Sequence, residues 1–150
     1  MEATAKKIFR VHDLGPALEP HRVAGKTIIH CHGVFDLLHI GHIKHLEAAR
    51  QLGDVLVVTT TPDRFVNKGP HRPAFPEKLR AEALASLACV DFVAVTEWPT
   101  AVETIQIVRP SLYVKGTYPA ARTASRRQPP CEAQALEVPR RISPLLPPTW

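Results

Sequence analysis

The chain has 150 residues, 45% of them hydrophobic, enough for one domain with a sizeable core. Lysine and arginine outnumber aspartate and glutamate 19 to 14, a formal net charge of +5, and there are 15 prolines and three cysteines (Cys31, Cys89, Cys131). No apolar run nears the roughly 20 residues that span a bilayer, and the start, MEATAKKIFR, lacks the apolar stretch of a secretory signal. An odd cysteine count without C-x-x-C spacing argues against a disulfide framework or zinc finger and makes a reducing cytoplasm the expected location.

Residues 1–21 read as an N-terminal extension, and a strand–helix alternation then runs to Gly116. Thr27 to Cys31 is a short β-prone run closed by Gly33. From Gly41 to Leu52, apolar Ile43, Leu46, Ala49 and Leu52 fall at helical spacing, and Gly53 stops the helix. Val55 to Val58 is a continuous apolar strand. Thr61 to Pro76 is a loop rich in proline and glycine, and Pro76 suits the first turn of a second helix with an apolar face of Leu79, Ala83, Leu84 and Leu87. Phe92 to Val95 is a third strand, Thr100 to Val108 a third helix, and Ser111 to Val114 a fourth strand before Lys115-Gly116. Strands apolar on both faces alternating with helices predict an α/β, Rossmann-like parallel sheet with flanking helices over residues 22–116. Such sheets bind ligands at the carboxyl ends of their strands.

Periodicity ends at Gly116. Residues 1–116 carry 14 basic and 12 acidic residues, whereas 117–150 carry five arginines, two glutamates and seven of the prolines. Residues 117–150 are expected to be a disordered Pro/Arg-rich tail. Its Arg126-Arg127 and Arg140-Arg141 pairs lack interleaved aromatics, so no nucleic-acid partner is expected, and no membrane.

Chemistry concentrates between His30 and His42, from the end of the first strand into the start of the first helix. Gly33 allows close backbone approach to a ligand. Gly41 lies where the helix opens, among unpaired N–H groups and the positive end of the dipole. His39 and His42, three apart, both fit on one side of that helix start. Two imidazoles with helix amides make a compact anion site suited to a triphosphate, and bound phosphate would favour their charged forms. His30 and His32 lie on the strand face opposite Cys31, against a common zinc site. Cys31 and Cys89 read as core residues, His45 and His71 as solvated.

Gly33-Val34-Phe35-Asp36-x-x-His39-Ile40-Gly41-His42 resembles the HxGH signature of the nucleotidyltransferase superfamily, in its cytidylyltransferase-like branch. Leu52 to Val58, the loop Asn67-Lys68-Gly69-Pro70-His71-Arg72-Pro73 with Glu77 to Arg80, Val90 to Val93, and Val114-Lys115-Gly116 extend the likeness over about residues 26–116. It is similar above all to the adenylyltransferase domain of ADP-heptose synthase and related sugar-phosphate enzymes fused to a sugar kinase. The resemblance implies transfer of a nucleotidyl group from ATP or CTP to a sugar or polyol phosphate, releasing pyrophosphate, with magnesium as cofactor and a homodimer as the expected assembly. It implies catalytic roles for His39, His42, Lys44 and Lys68, and nucleotide binding by Gly33, Val34, Phe35, Asp36, Gly41, Lys115 and Gly116. It further implies a substrate-phosphate role for Arg80, an indirect magnesium contact for Asp36, and a place near the nucleotide for Glu97-Trp98.

The likeness stops after Gly116. Thr117-Tyr118-Pro119 follows where the family has an acidic residue, and no Ser/Thr-rich motif opening a final helix appears. The fold is therefore expected to be incomplete at the C-terminus. Two alternatives remain: a catalytically impaired nucleotide-binding domain, and a glycerol-3-phosphate-type cytidylyltransferase.

Overall fold

A computed structural model describes residues 2–116 and 133–137. The elements in chain order are α1 (Glu2–Ala5), β1 (Ile8–Arg10), α2 (Leu14–Val23), β2 (Ile28–Gly33), α3 (Ile40–Arg50), β3 (Val55–Thr60), α4 (Glu77–Ala85), β4 (Phe92–Val95), α5 (Val102–Val108), β5 (Leu112–Gly116) and β6 (Ala133–Glu137). The strands form one sheet in the order β1-β4-β3-β2-β5-β6. The first five are parallel, and β6 runs antiparallel to β5. The predicted Rossmann-like architecture is thus present.

Alternation along the strands divides the core. Ile29, Cys31, Leu56, Val58 and Val93 point to one face, where Leu46 and Ala49 of α3 and Leu84 of α4 cover them. Ile28, Val55, Val57 and Ala94 point to the other, under Leu14 and Leu18 of α2 and Val108 of α5. A sheet buried on both sides needs such unbroken apolar runs. Truncating a fully buried side chain such as Leu46 to alanine would cost about 2–5 kcal/mol. Gly53 is demanded by a close crossing, since a Cβ there would lie 2.8 Å from Ile29 side-chain atoms and the Thr27 carbonyl.

Three expectations change. Residues 1–21 are not an appendage: β1 pairs with β4, and Val11, Leu14 and Leu18 are buried in the core. In α4 the buried side chains are Arg80, Ala81, Leu84 and Ala85, while Leu79 is half exposed. Within the tail, Ala133–Glu137 pairs along β5, from Glu137 beside Leu112 to Ala133 beside Gly116. The remainder of the expected disordered tail lies outside the described residues.

β2 lies between β3 and β5: the chain runs from β2 through β3 to β4 on one side, and the connection from β4 then crosses to β5 on the other. That reversal places a crevice at the carboxyl ends of the strands, where ligands bind in open α/β sheets.

Candidate functional site

The chain leaves β2 through Gly33 and turns at Phe35, whose φ of 47° is left-handed. A Cβ on Gly33 would meet ring carbons of Phe35 at 3.1 Å, so the glycine makes room for this ring rather than for a ligand. The Phe35 ring in turn stands edge-on to His42, centroids 5.3 Å apart. The Val34 carbonyl accepts from the Thr60 hydroxyl at 2.9 Å and from Arg80.

His39 is the N-cap of α3. Its Nδ1 accepts the N–H of Gly41 at 3.1 Å, and the His42 Nδ1 accepts the N–H of His39 at 3.4 Å. Each imidazole thus takes the place of a capping side-chain oxygen. With Nδ1 accepting, the neutral ring carries its proton on Nε2. The rings lie 3.9 Å apart. Burial, then the neighbouring His39 and Lys68, lower the His42 imidazole below its usual range, against a hydrogen bond to the Leu37 backbone that raises it.

Beside this helix start is an open cavity of about 390 Å³, lined by Asp36, Leu37, His39, His42, Lys68 and Arg72. Lys68 and Arg72 come from the proline- and glycine-rich loop. That loop is clasped by Asp36: one carboxylate oxygen accepts from Arg72 Nη1 at 2.8 Å, and the other from the Ala74 N–H at 2.5 Å. Burial pushes the Asp36 carboxyl up, but Ala74, Arg72 and Lys68 outweigh it and hold the carboxyl below its ordinary value. Asp36 is the one carboxylate lining the cavity among the described residues, and both its oxygens are engaged. A magnesium ion held here would have to share the Asp36 carboxylate with Arg72 and the Ala74 N–H.

Arg80 is not a substrate-phosphate residue in this geometry. It is 2% exposed, and all five guanidinium N–H groups are engaged within the protein. Nε donates to the Phe75 carbonyl, Nη1 to the Val34 carbonyl and Thr60 Oγ1, and Nη2 to the Thr61 carbonyl and Asp63 Oδ1. Arg80 ties together the loop after β2, the end of β3 and the end of the proline-rich loop.

Lys44 does not reach the cavity. It is exposed and pairs with Glu47 at 3.4 Å. Two residues along a helix is a turn of about 200°, which sets Lys44 on the far side from His42. Lys115 and Gly116 sit at the carboxyl end of β5, the same end of the sheet as the cavity, but outside its lining among the described residues. Glu97 pairs with His12 at 3.0 Å, and Trp98 meets the His12 ring edge-on and packs against the second core cluster.

His30 and His32 are held by Thr59 of β3 and by Thr61 just after it. His30 Nε2 and His32 Nδ1 share the Thr59 hydroxyl at 2.8 and 2.9 Å, and His32 Nε2 reaches Thr61 Oγ1 at 3.2 Å. Burial, with His32 nearby, pushes the His30 imidazole down to about 3, and burial pushes His32 down to about 4. Cys31 is buried on the opposite face, its thiol pushed up to about 12 by burial and by Cys89. Among the described residues no three His, Cys, Asp or Glu side chains are grouped to hold a metal. His45, expected in solvent, is 7% exposed on the inner side of α3; His71 is exposed. Among the described residues no helix is long and apolar enough to cross a membrane.

Arg72 and Leu37 line the cavity without having been singled out from sequence. The signal for Arg72 was its loop, which also carries Lys68.

A family model described as cytidylyltransferase-like matches residues 30–128. The bifunctional protein HldE of Syntrophotalea carbinolica is 45% identical over 112 residues, covering 73% of this chain and 23% of that protein. HldE of Nitratiruptor sp. is 48% identical over 94 residues, 61% of this chain and 20% of that protein. The chain therefore spans less than a quarter of the length of these curated relatives. Among solved structures, a lipopolysaccharide core biosynthesis protein from Thermoplasma volcanium matches with a TM-score of 0.55 and 31% identity, over 59% of this chain and 73% of that one.

Proposed function

This chain belongs to the cytidylyltransferase-like family of nucleotidyltransferases, and from that premise we propose that it transfers a nucleotidyl group from ATP or CTP to a sugar or polyol phosphate and releases pyrophosphate. The observation that carries this reading is the meeting of His39, His42 and Lys68 around one cavity at the carboxyl end of the sheet.

The acceptor phosphate is already an anion, so attack on the α-phosphorus needs no general base. What remains is alignment and stabilisation of charge on the α-phosphate and the leaving pyrophosphate. His39 and His42 supply imidazole N–H groups at the positive end of α3, and the N-terminal amides around Gly41 add the helix dipole. Lys68 brings a cation from the loop to the β- and γ-phosphates. Gly33, Val34 and Phe35 shape the wall behind the phosphates, Asp36 anchors the loop, and Lys115-Gly116 flank the nucleoside from the end of β5. Magnesium would come with the triphosphate as part of the substrate and would offset its negative charge. ATP is the favoured nucleotide, because the motifs resemble the adenylyltransferase domain of ADP-heptose synthase.

A second reading is favoured by one observation: residues 117–150 contain no Ser/Thr-rich motif. In that case the chain binds triphosphate without turning it over. Pyrophosphate release with ATP or CTP across a panel of sugar phosphates, beside triphosphate binding, separates the two. Release that depends on His42 supports transfer; binding without release supports the inactive domain.

A further inference from the structure

We infer that Arg72 is a second phosphate-binding cation of the cavity, and that it, rather than Arg80, is the arginine that contacts the polyphosphate chain of the nucleotide. The inference rests on the nucleotidyltransferase reading above. Two arginines flank this part of the fold, and their surroundings are opposite. Arg80 has every N–H engaged and is closed off from solvent. Arg72 lines the cavity, its side chain is 40% exposed, and among the described residues its one hydrogen bond runs from Nη1 to Asp36. The planar guanidinium carries five N–H donors in a fork that matches two phosphate oxygens at once.

The anchor is as informative as the fork. Asp36 is 5% exposed, and its second oxygen takes the Ala74 N–H, so the loop is fixed on both sides of Pro73. A rooted Nη1 restricts the rotamers of Arg72 before any ligand arrives, which lowers the ordering cost of binding. Lys68, on the same loop, contributes a flexible point charge without such orientation. The two cations suit a chain of linked phosphates better than a single phosphate ester.

The test is titration calorimetry on the full chain, with inorganic tripolyphosphate, MgATP and glucose 1-phosphate as separate probes. Arg72→Ala should weaken tripolyphosphate and MgATP roughly ten- to a hundredfold, the loss expected for charge-assisted hydrogen bonds. Arg72→Lys, which keeps the charge on Asp36 and loses the fork, should fall between that and the parent protein. If Arg72→Ala is too unstable to titrate, Arg72→Lys and the paired Asp36→Asn/Arg72→Gln variant carry the test. Tripolyphosphate affinity unchanged on replacing Arg72 but lost in Lys68→Ala would overturn the inference and leave the nucleotidyltransferase reading standing. A selective loss of glucose 1-phosphate binding would also overturn it, assigning Arg72 to the acceptor. A parent protein that binds neither polyphosphate would overturn both.

Discussion

The Nδ1 of His42 accepts the backbone N–H of His39 at 3.4 Å, and the His39 Nδ1 accepts the N–H of Gly41 at 3.1 Å. The two imidazoles proposed to meet phosphate therefore also close the start of α3. Capping and phosphate contact can be separated by substitution. Asparagine is an efficient N-cap but has no imidazole. His39→Asn should leave the melting temperature within about 2–4 °C of the parent and lower the transfer rate about a hundredfold. His39→Ala should lose the rate together with about 1 kcal/mol of stability. Thermal melts beside initial rates check both; an active His39→Asn protein would contradict the phosphate role.

Arg80 bears on stability before catalysis. Replacing it with methionine leaves the Val34, Thr61 and Phe75 carbonyls and Asp63 without this donor. Breaking a buried, charge-paired network of this kind costs about 3–5 kcal/mol. Arg80→Met should lower the melting temperature by roughly 5 °C or more, given the size of the chain. A variant that melts with the parent and loses only acceptor affinity would restore the substrate role that the motif implied.

Lys68 and Lys44 should part company. Lys68→Ala removes a cation from the cavity wall and should raise the KM for triphosphate about tenfold or more. Lys44→Ala breaks an exposed pair with Glu47, a kind of contact worth about 0–1 kcal/mol, and should change the kinetics less than about twofold. Steady-state kinetics of the two variants side by side decide it.

Acid should weaken the fold through β2. In the unfolded chain His30 and His32 titrate near their ordinary value of 6.5, whereas in the fold burial brings them to about 3 and about 4. Between pH 6.5 and 4 the unfolded state holds more protons, so stability is full above 6.5 and falls as pH drops through that window. The slope approaches about 1.4 kcal/mol per pH unit for each histidine. Melts at pH 7.5 and 5 should show a lower melting temperature at pH 5, and a flat profile would contradict a neutral His30–His32 pair in the fold.

Much of this site was legible in the sequence because it is local. His39, Gly41 and His42 fall within one helical turn, so spacing alone brings them together. Arg80 was not legible, because its five acceptors come from Val34, Thr60, Thr61, Asp63 and Phe75, which only the fold assembles. Its neighbour Leu79 had the better hydrophobic claim to the core, yet the structure turns Arg80 inward and leaves Leu79 half exposed. The contribution of the first 21 residues was hidden for another reason. β1 is only three residues long, too short to show a period of two, and Pro16 and Pro20 mask the helix that buries Leu14 and Leu18.

Pyrophosphate release, measured with MgATP or MgCTP and a panel of sugar and polyol phosphates, in the parent protein and in His42→Ala, tests the central claim most directly. Release that requires one acceptor phosphate and falls about a hundredfold or more in His42→Ala is the predicted result. Release that persists undiminished in His42→Ala, or triphosphate binding with no release for any acceptor, would contradict it.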